Sequence, residues 1–180
     1  MENNEAYTKE PVRAGSRKEK VVNTVLAVLC ALMGIVILLR VFVFELCVVQ
    51  GDSMLPNFAD GQIVLVNRRA SPQRFDVVLI EMTEQESGGE KERILIKRVI
   101  ALAGETIWCE NNVVHVRRED GTELVLTKER IGFDTYETRD FSPVTVPQGT
   151  VYLLGDNRPV SKDSRFFGAV DVSKIHGVVV

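Results

Sequence analysis

The sequence predicts a mainly β domain behind one apolar, membrane-spanning helix. Two observations carry that expectation. Residues Val21 to Leu39 hold 16 apolar residues in 19, broken only by Asn23, Thr24 and Gly34. Beyond Val41 the chain falls into short β-branched runs separated by turn residues, and valine alone occurs 28 times in 180 residues, a composition that favours strands.

The apolar tract comes first. At about 1.5 Å per residue, 19 helical residues reach roughly 28 Å, close to the hydrocarbon thickness of about 30 Å. A cleaved signal peptide and a buried core helix are the alternatives. The former has an apolar region of about 7–15 residues followed by a small-x-small site. This tract is longer and runs into Arg40 and then Val41-Phe42-Val43-Phe44, which favours an uncleaved anchor. Lys9, Arg13, Arg17, Lys18 and Lys20 precede it, and Arg40 is the only basic residue after it until Arg68. The positive-inside bias therefore places the N-terminus in the cytoplasm and the rest outside. The expected organisation is a disordered cytoplasmic tail over 1–20, an anchor over 21–39 and an extracytoplasmic β-rich domain over 40–180.

Strands are expected at Leu46–Gln50, Gln62–Asn67, Asp76–Met82, Arg93–Ala101, Thr106–Glu110, Val113–Arg117, Glu123–Thr127, Thr150–Leu154 and near Ile175–Val180. Asn111-Asn112 and Asp120-Gly121 read as hairpin turns. Thr83 to Lys91 is polar, with Gly88-Gly89 at its tip, and reads as an exposed loop. Leu126 to Tyr136 is the one stretch with room for a helical turn.

Composition excludes several classes. A net charge of −3 gives no face-wide basic excess for nucleic acid. The three cysteines, Cys30, Cys47 and Cys109, match neither a disulfide framework nor a zinc site. With only His115 and His176 besides, no metal or cofactor is expected. Both histidines read as strand residues without a catalytic role.

Three constellations carry chemistry. In Gln50-Gly51-Asp52-Ser53-Met54-Leu55-Pro56-Asn57 a serine follows a strand and a glycine. Such a position projects a hydroxyl while leaving backbone N–H groups free for an oxyanion, although most serines in such turns only make the turn. In Ile94-Leu95-Ile96-Lys97-Arg98-Val99-Ile100 a lysine sits inside an apolar strand. Alternation puts Lys97 with Leu95 and Val99, and Arg98 on the other face. Lys97 either snorkels to water or is desolvated until neutral. Moving its pKa from about 10.4 to about 7 requires about 4.6 kcal/mol against the charged form. The third, Gly155 to Gly168, is dense in Asp, Asn, Ser and Arg. It is either a solvated loop or a hydrogen-bonded platform under a site.

Taken in order, Gly-x-Ser-Met-x-Pro, Lys-Arg-Val-Ile and Gly-Asp-Asn-Arg-x-x-Ser-x-Asp-Ser-Arg-x-x-Gly resemble the boxes of type I signal peptidases. Arg74-Phe75-Asp76-Val77-Val78 resembles the remaining box. The 57 residues between Lys97 and Gly155 suit the compact Gram-positive form, without the large inserted β-domain of Gram-negative relatives. Self-cleaving Ser-Lys repressors carry a DNA-binding domain in place of an anchor, whereas mitochondrial inner-membrane peptidases are harder to separate by sequence. A catalytically dead peptide-binding module would not need Ser53 and Lys97 together.

The resemblance implies a fold of coiled antiparallel β-sheets and a Ser-Lys endopeptidase that removes signal peptides from exported pre-proteins after small side chains. It makes Ser53 the nucleophile and Lys97 the general base. Ser161 matches the position that hydrogen-bonds and orients the lysine. Asp163 and Arg165 match a charge pair, and Asp156, Asn157 and Arg158 belong to the supporting platform. Cys47, Val49, Gly51, Met54 and Ile96 are candidates for shallow substrate pockets, with the substrate added as a strand. The implied partners are signal peptides, the lipid bilayer and a nearby secretion translocon. Three departures stand out. Gly51 replaces a serine whose hydroxyl serves some relatives as a second oxyanion donor, Asn57 replaces a frequent threonine, and Ala101-Leu102-Ala103-Gly104-Glu105 replaces a frequent Gly-Leu-Pro-Gly-Asp.

Overall fold

The structure is a computed structural model that describes residues 17–86, 89–127, 132 and 134–180. Its first unit is dominated by helix α1, Arg17–Val43. This is the one helix among the described residues long and apolar enough to cross a membrane. Apolar side chains along it are exposed, Val21 by 58% and Leu32 by 54%. The helix outruns the apolar tract at both ends. It takes in Arg17 to Lys20, expected to be disordered, because straight-chain Arg, Lys and Glu extend a helix readily. Met1 to Ser16 lie outside the described residues.

The second unit, Phe42–Val180, is built on two antiparallel sheets. The larger contains β1 (Phe44–Val48), β2 (Ile63–Asn67), β3 (Val77–Glu86), β4 (Gly89–Ala101), β9 (Thr150–Leu154), β10 (Val170–Asp171) and β11 (Ile175–Val179). Its order is β1-β2-β11-β3-β4-β9-β10. The smaller contains β5 (Thr106–Glu110), β6 (Val113–Arg117), β7 (Glu123–Leu126) and β8 (Phe141–Thr145), in the order β7-β6-β5-β8. It fills the interval between Lys97 and Gly155. The fold is thus mainly antiparallel β with one N-terminal apolar helix.

Period-two alternation sorts the core. Val77 and Leu79 of β3 join Val49, Met54, Val64, Val66 and Ile96 in one cluster. Val78 and Ile80 point the other way, into a cluster with Val99, Val151, Leu153, Val170 and Val178. Both faces of the large sheet are therefore covered, so β3 reads as a continuous apolar run. A third cluster, including Ile107, Val116, Tyr152 and Leu154, lies under the small sheet.

Three expectations are corrected. Of the expected loop Thr83 to Lys91, Thr83–Glu86 and Gly89–Lys91 are strand, since β3 and β4 stay in register from Val77↔Arg98 to Glu86↔Gly89, while 87–88 lie outside the described residues. Backbone pairing satisfies its own donors and acceptors whatever the side-chain polarity, so polar composition hid a hairpin. Strand β8 was not anticipated because Ser142 and Pro143 interrupt its pattern, but it is an edge strand, where proline is tolerated. Strand β1 begins at Phe44, two residues before the expected Leu46. The room for a helical turn expected between Leu126 and Tyr136 lies mainly on 128–131 and 133, outside the described residues; Leu126 itself ends β7. The two predicted turns are present. Asn111 and Asn112 both adopt positive φ, 51° and 64°, and Asp120 accepts from the Thr122 N–H at 2.8 Å.

Candidate active site

Ser53 sits in the turn after β1. The turn is closed by backbone bonds from Leu55 N–H to Asp52 O and from Asn57 N–H to Met54 O, and by the Gly51 N–H donating to Asp60 Oδ1 at 2.7 Å. Gly51 adopts φ 78°, a left-handed conformation suited to glycine. Met54, a candidate pocket residue, has no exposed surface and anchors the turn in the core.

Lys97 comes from the middle of β4, whose neighbours pair with β3 and β9. Its Nζ lies 2.9 Å from Ser53 Oγ and donates to Ile96 O at 2.8 Å. Only 3% of Lys97 is exposed, so the snorkelling alternative does not hold. Burial lowers its pKa from the usual 10.5 to about 8, against the opposing pull of the Asp163 and Asp156 carboxylates. Desolvation wins because neither acid forms an ion pair with Lys97 and both carboxylates are already held by arginines.

Those arginines build the platform. Arg98 Nε and NH2 donate to Asp156 Oδ1 and Oδ2 at 2.8 and 2.6 Å, a bidentate pair that is almost wholly buried. Arg165 pairs with Asp163 in the same forked way, at 2.8 Å on both arms. Asp163 also accepts from the Gly155 N–H at 3.0 Å and caps the short helix α2, Ser164–Phe167. Arg158 donates from Nε to Gly155 O and from NH1 to Thr138 Oγ1, each at 2.8 Å. Burial lowers its pKa to about 10. Asn157 donates its backbone N–H to Ser53 O at 3.0 Å and Nδ2 to Asp52 O at 2.9 Å.

Ser161 is buried beside this assembly, but its hydroxyl has no hydrogen-bond partner among the described residues. The Lys97 amine is bonded to Ser53 and Ile96 instead. The Ser161 Oγ lies against Gly155, where an added Cβ would come within 2.2 Å of it and 2.5 Å of Ser53 O. That close approach requires glycine.

Two concavities meet at Gln50. One is lined by Gly51, Ser53, Leu95, Lys97 and Asn157 among others and holds both the serine and the lysine. The other is lined by Cys47, Val49, Val64, Leu79 and Ile96. Of the five candidate pocket residues, Gly51 lies in the first and Cys47, Val49 and Ile96 in the second, while Met54 lines neither. The β9 partner covers β4 only at Arg98, Val99 and Ala101, so the β4 edge nearer Ile96 faces this groove without a β9 partner. The cysteines form no disulfide, and no group of three or more metal-ligating side chains occurs among the described residues.

Sequence reasoning missed two contributors. Arg98 was placed correctly on the face opposite Lys97 without a role. Two adjacent bases in a strand covered on both faces imply a buried acid for Arg98, which is Asp156. Asn57 was noted only as a substitution, yet its Nδ2 donates to Asp156 Oδ2 at 2.8 Å and to Asp134 O at 2.6 Å. In the turn Ala101–Glu105, the Glu105 carboxylate accepts from the Leu102 N–H and from Arg74.

The sequence model of the family described as signal peptidase, peptidase S26, matches residues 21–180. A signal peptidase I of Bacillus caldolyticus is 34% identical over 157 residues, covering 81% of this chain and 82% of that relative. Signal peptidase I V of Bacillus subtilis strain 168 is 37% identical over 142 residues, covering 73% and 80%. A solved signal peptidase I from Enterococcus faecalis is 30% identical and covers 62% of this chain and 98% of that one, with a TM-score of 0.44. With the family match running through the apolar helix, the turn of Ser53, the strand of Lys97 and the platform, the chain belongs to the signal peptidase family, peptidase S26.

Proposed function

We propose that this chain is a serine endopeptidase that cleaves signal peptides from pre-proteins, with Ser53 as nucleophile and Lys97 as general base. The observation that carries it is a lysine amine buried to 3% exposure, 2.9 Å from the serine oxygen, in a groove. In its neutral form Lys97 accepts the Ser53 hydroxyl proton as Oγ attacks the carbonyl carbon before the cut. The tetrahedral oxyanion takes the Ser53 N–H. On collapse the C–N bond breaks, Lys97 returns the proton to the leaving amine, and an acyl-serine remains. A water then gives its proton to Lys97 as its oxygen attacks the acyl carbon; the bond to Ser53 Oγ breaks, Lys97 returns that proton to Oγ, and the cleaved signal peptide leaves as a carboxylate. Every proton has a residue to carry it, so the scheme needs no cofactor.

The groove of Cys47, Val49 and Ile96 receives the residues before the cut as an added strand between β1 and β4, where backbone pairing tolerates varied sequences. The apolar side chains of Cys47, Val49, Val64, Leu79 and Ile96 on its floor receive small side chains at the first and third positions before the cut. The single apolar helix serves as a membrane anchor with the N-terminus cytoplasmic and the β domain on the outer side, as the basic residues before it favour. Ser53 follows Leu39 by only 14 residues, a tether that keeps the dyad at the bilayer surface near the translocon, where a signal peptide presents its site.

The test is cleavage of a pre-protein with a small-x-small site by the detergent-solubilised chain. Ser53→Ala and Lys97→Ala each abolish it, a loss of about 10⁴-fold or more. Cleavage retained by either variant would sink the dyad.

A further inference from the structure

We infer that Asn157 is a positioning residue that aims the oxyanion donor, an assignment that rests on Ser53 being the nucleophile. Gly51 supplies no hydroxyl, and its own N–H is engaged by Asp60, so stabilisation of the oxyanion falls to the Ser53 N–H. That N–H makes no hydrogen bond among the described residues. Its direction is set by its peptide plane. The Asp52–Ser53 peptide is trans, since the cis bond among the described residues is Leu55–Pro56. In a planar trans peptide the N–H points opposite to the C=O. Asn157 Nδ2 donates to the Asp52 carbonyl at 2.9 Å, beside the Leu55 N–H at 3.2 Å, and together the two donors keep the Ser53 N–H on the other side of the plane.

The same residue holds the next carbonyl, with its backbone N–H on Ser53 O at 3.0 Å. Both carbonyls flanking the nucleophile's backbone are thus gripped by one asparagine 105 positions away in sequence for the side-chain bond. The grip answers a specific weakness. Gly51 precedes this peptide, and a glycine at φ 78° lacks the Cβ that would restrict the backbone there. Asn157 is itself fixed, because its carbonyl accepts from the Ser161 and Val160 N–H groups at 3.0 and 3.3 Å. It follows Asp156, which Arg98 locks in place.

Substitution of the side chain removes the Nδ2 bond and keeps the backbone bond. In the full-length chain, Asn157→Ala lowers kcat on a small-x-small pre-protein by about 100-fold, the usual size for loss of an aimed oxyanion donor. KM stays within about twofold, the thermal midpoint is unchanged, and the pH limb set by Lys97 does not move. Affinity for a peptide aldehyde, whose hemiacetal carries the oxyanion, falls in step with kcat/KM. Affinity for an uncleavable peptide of the same sequence holds. Asn157→Leu, which keeps the volume and lacks the donor, reproduces these effects if the alanine variant folds poorly. Turnover within threefold of wild type, or a loss confined to KM or to the thermal midpoint, overturns the assignment. Failure of the parent proposal is distinguishable, because it shows as cleavage that survives Ser53→Ala.

Discussion

Lys97 Nζ stands 2.9 Å from Ser53 Oγ at the end of a side chain that is almost wholly removed from water. Burial brings its pKa down to about 8, and the two nearby carboxylates, each held by an arginine, oppose that shift without cancelling it. This geometry is costly for the fold and useful for chemistry, and the cost can be measured.

Below pH 8 the folded chain must hold a buried ammonium, whereas the unfolded chain carries its lysine in water. Between about 8 and 10.5 the unfolded state binds more protons, so wild-type stability rises with pH across that window. Two and a half units correspond to about 3 kcal/mol. Lys97→Met, similar in length and apolar, is expected to be more stable than wild type at pH 7 by up to about that amount. The gain shrinks toward pH 10.5. Denaturant unfolding at pH 7 and pH 10 checks this, and a variant less stable at pH 7 would contradict it.

The Arg98–Asp156 pair works in the opposite sense. Asp156 has no exposed surface and also accepts from Asn57, so removing Arg98 strands a buried carboxylate. Arg98→Met is expected to cost about 3–5 kcal/mol, read as a lowered midpoint in urea. A shift under about 1 kcal/mol would mean that water reaches Asp156.

Gly155→Ala tests the packing behind Ser53. A Cβ there lies 2.2 Å from Ser161 Oγ and 2.5 Å from Ser53 O, so the Ser53 backbone has to shift. A displacement of about 1 Å at a reacting group costs on the order of 100-fold in rate. Turnover at the wild-type level in a cleavage assay would show that the site absorbs the methyl group elsewhere.

Much of the site was legible in sequence because its parts are local. Ser53 is marked by Gly51 and Pro56, Lys97 by the apolar strand around it, and the platform by one dense polar run. The links between those parts were not legible. Arg98 finds Asp156, Asn157 finds Asp52, and Asn57 finds Asp134 and Asp156 across long stretches of chain, through pairings that only the sheet order creates. Ser161 illustrates the reverse: the motif assigns it to the lysine, and here its hydroxyl faces Gly155 instead. In the fold, β8 and the outer half of the β3–β4 hairpin escaped notice for one reason. Their pairing is made by backbone groups, while the sequence pattern reports only side chains.

The central assignment is that Lys97 acts as a neutral base toward Ser53, and the pH dependence of kcat/KM for a small-x-small substrate measures it most directly. The rate is expected to rise about tenfold per unit up to a limb near pH 8, where Lys97 loses its proton, and to level off above it. A limb at 10 or higher, or an optimum in acid, would contradict a lysine base.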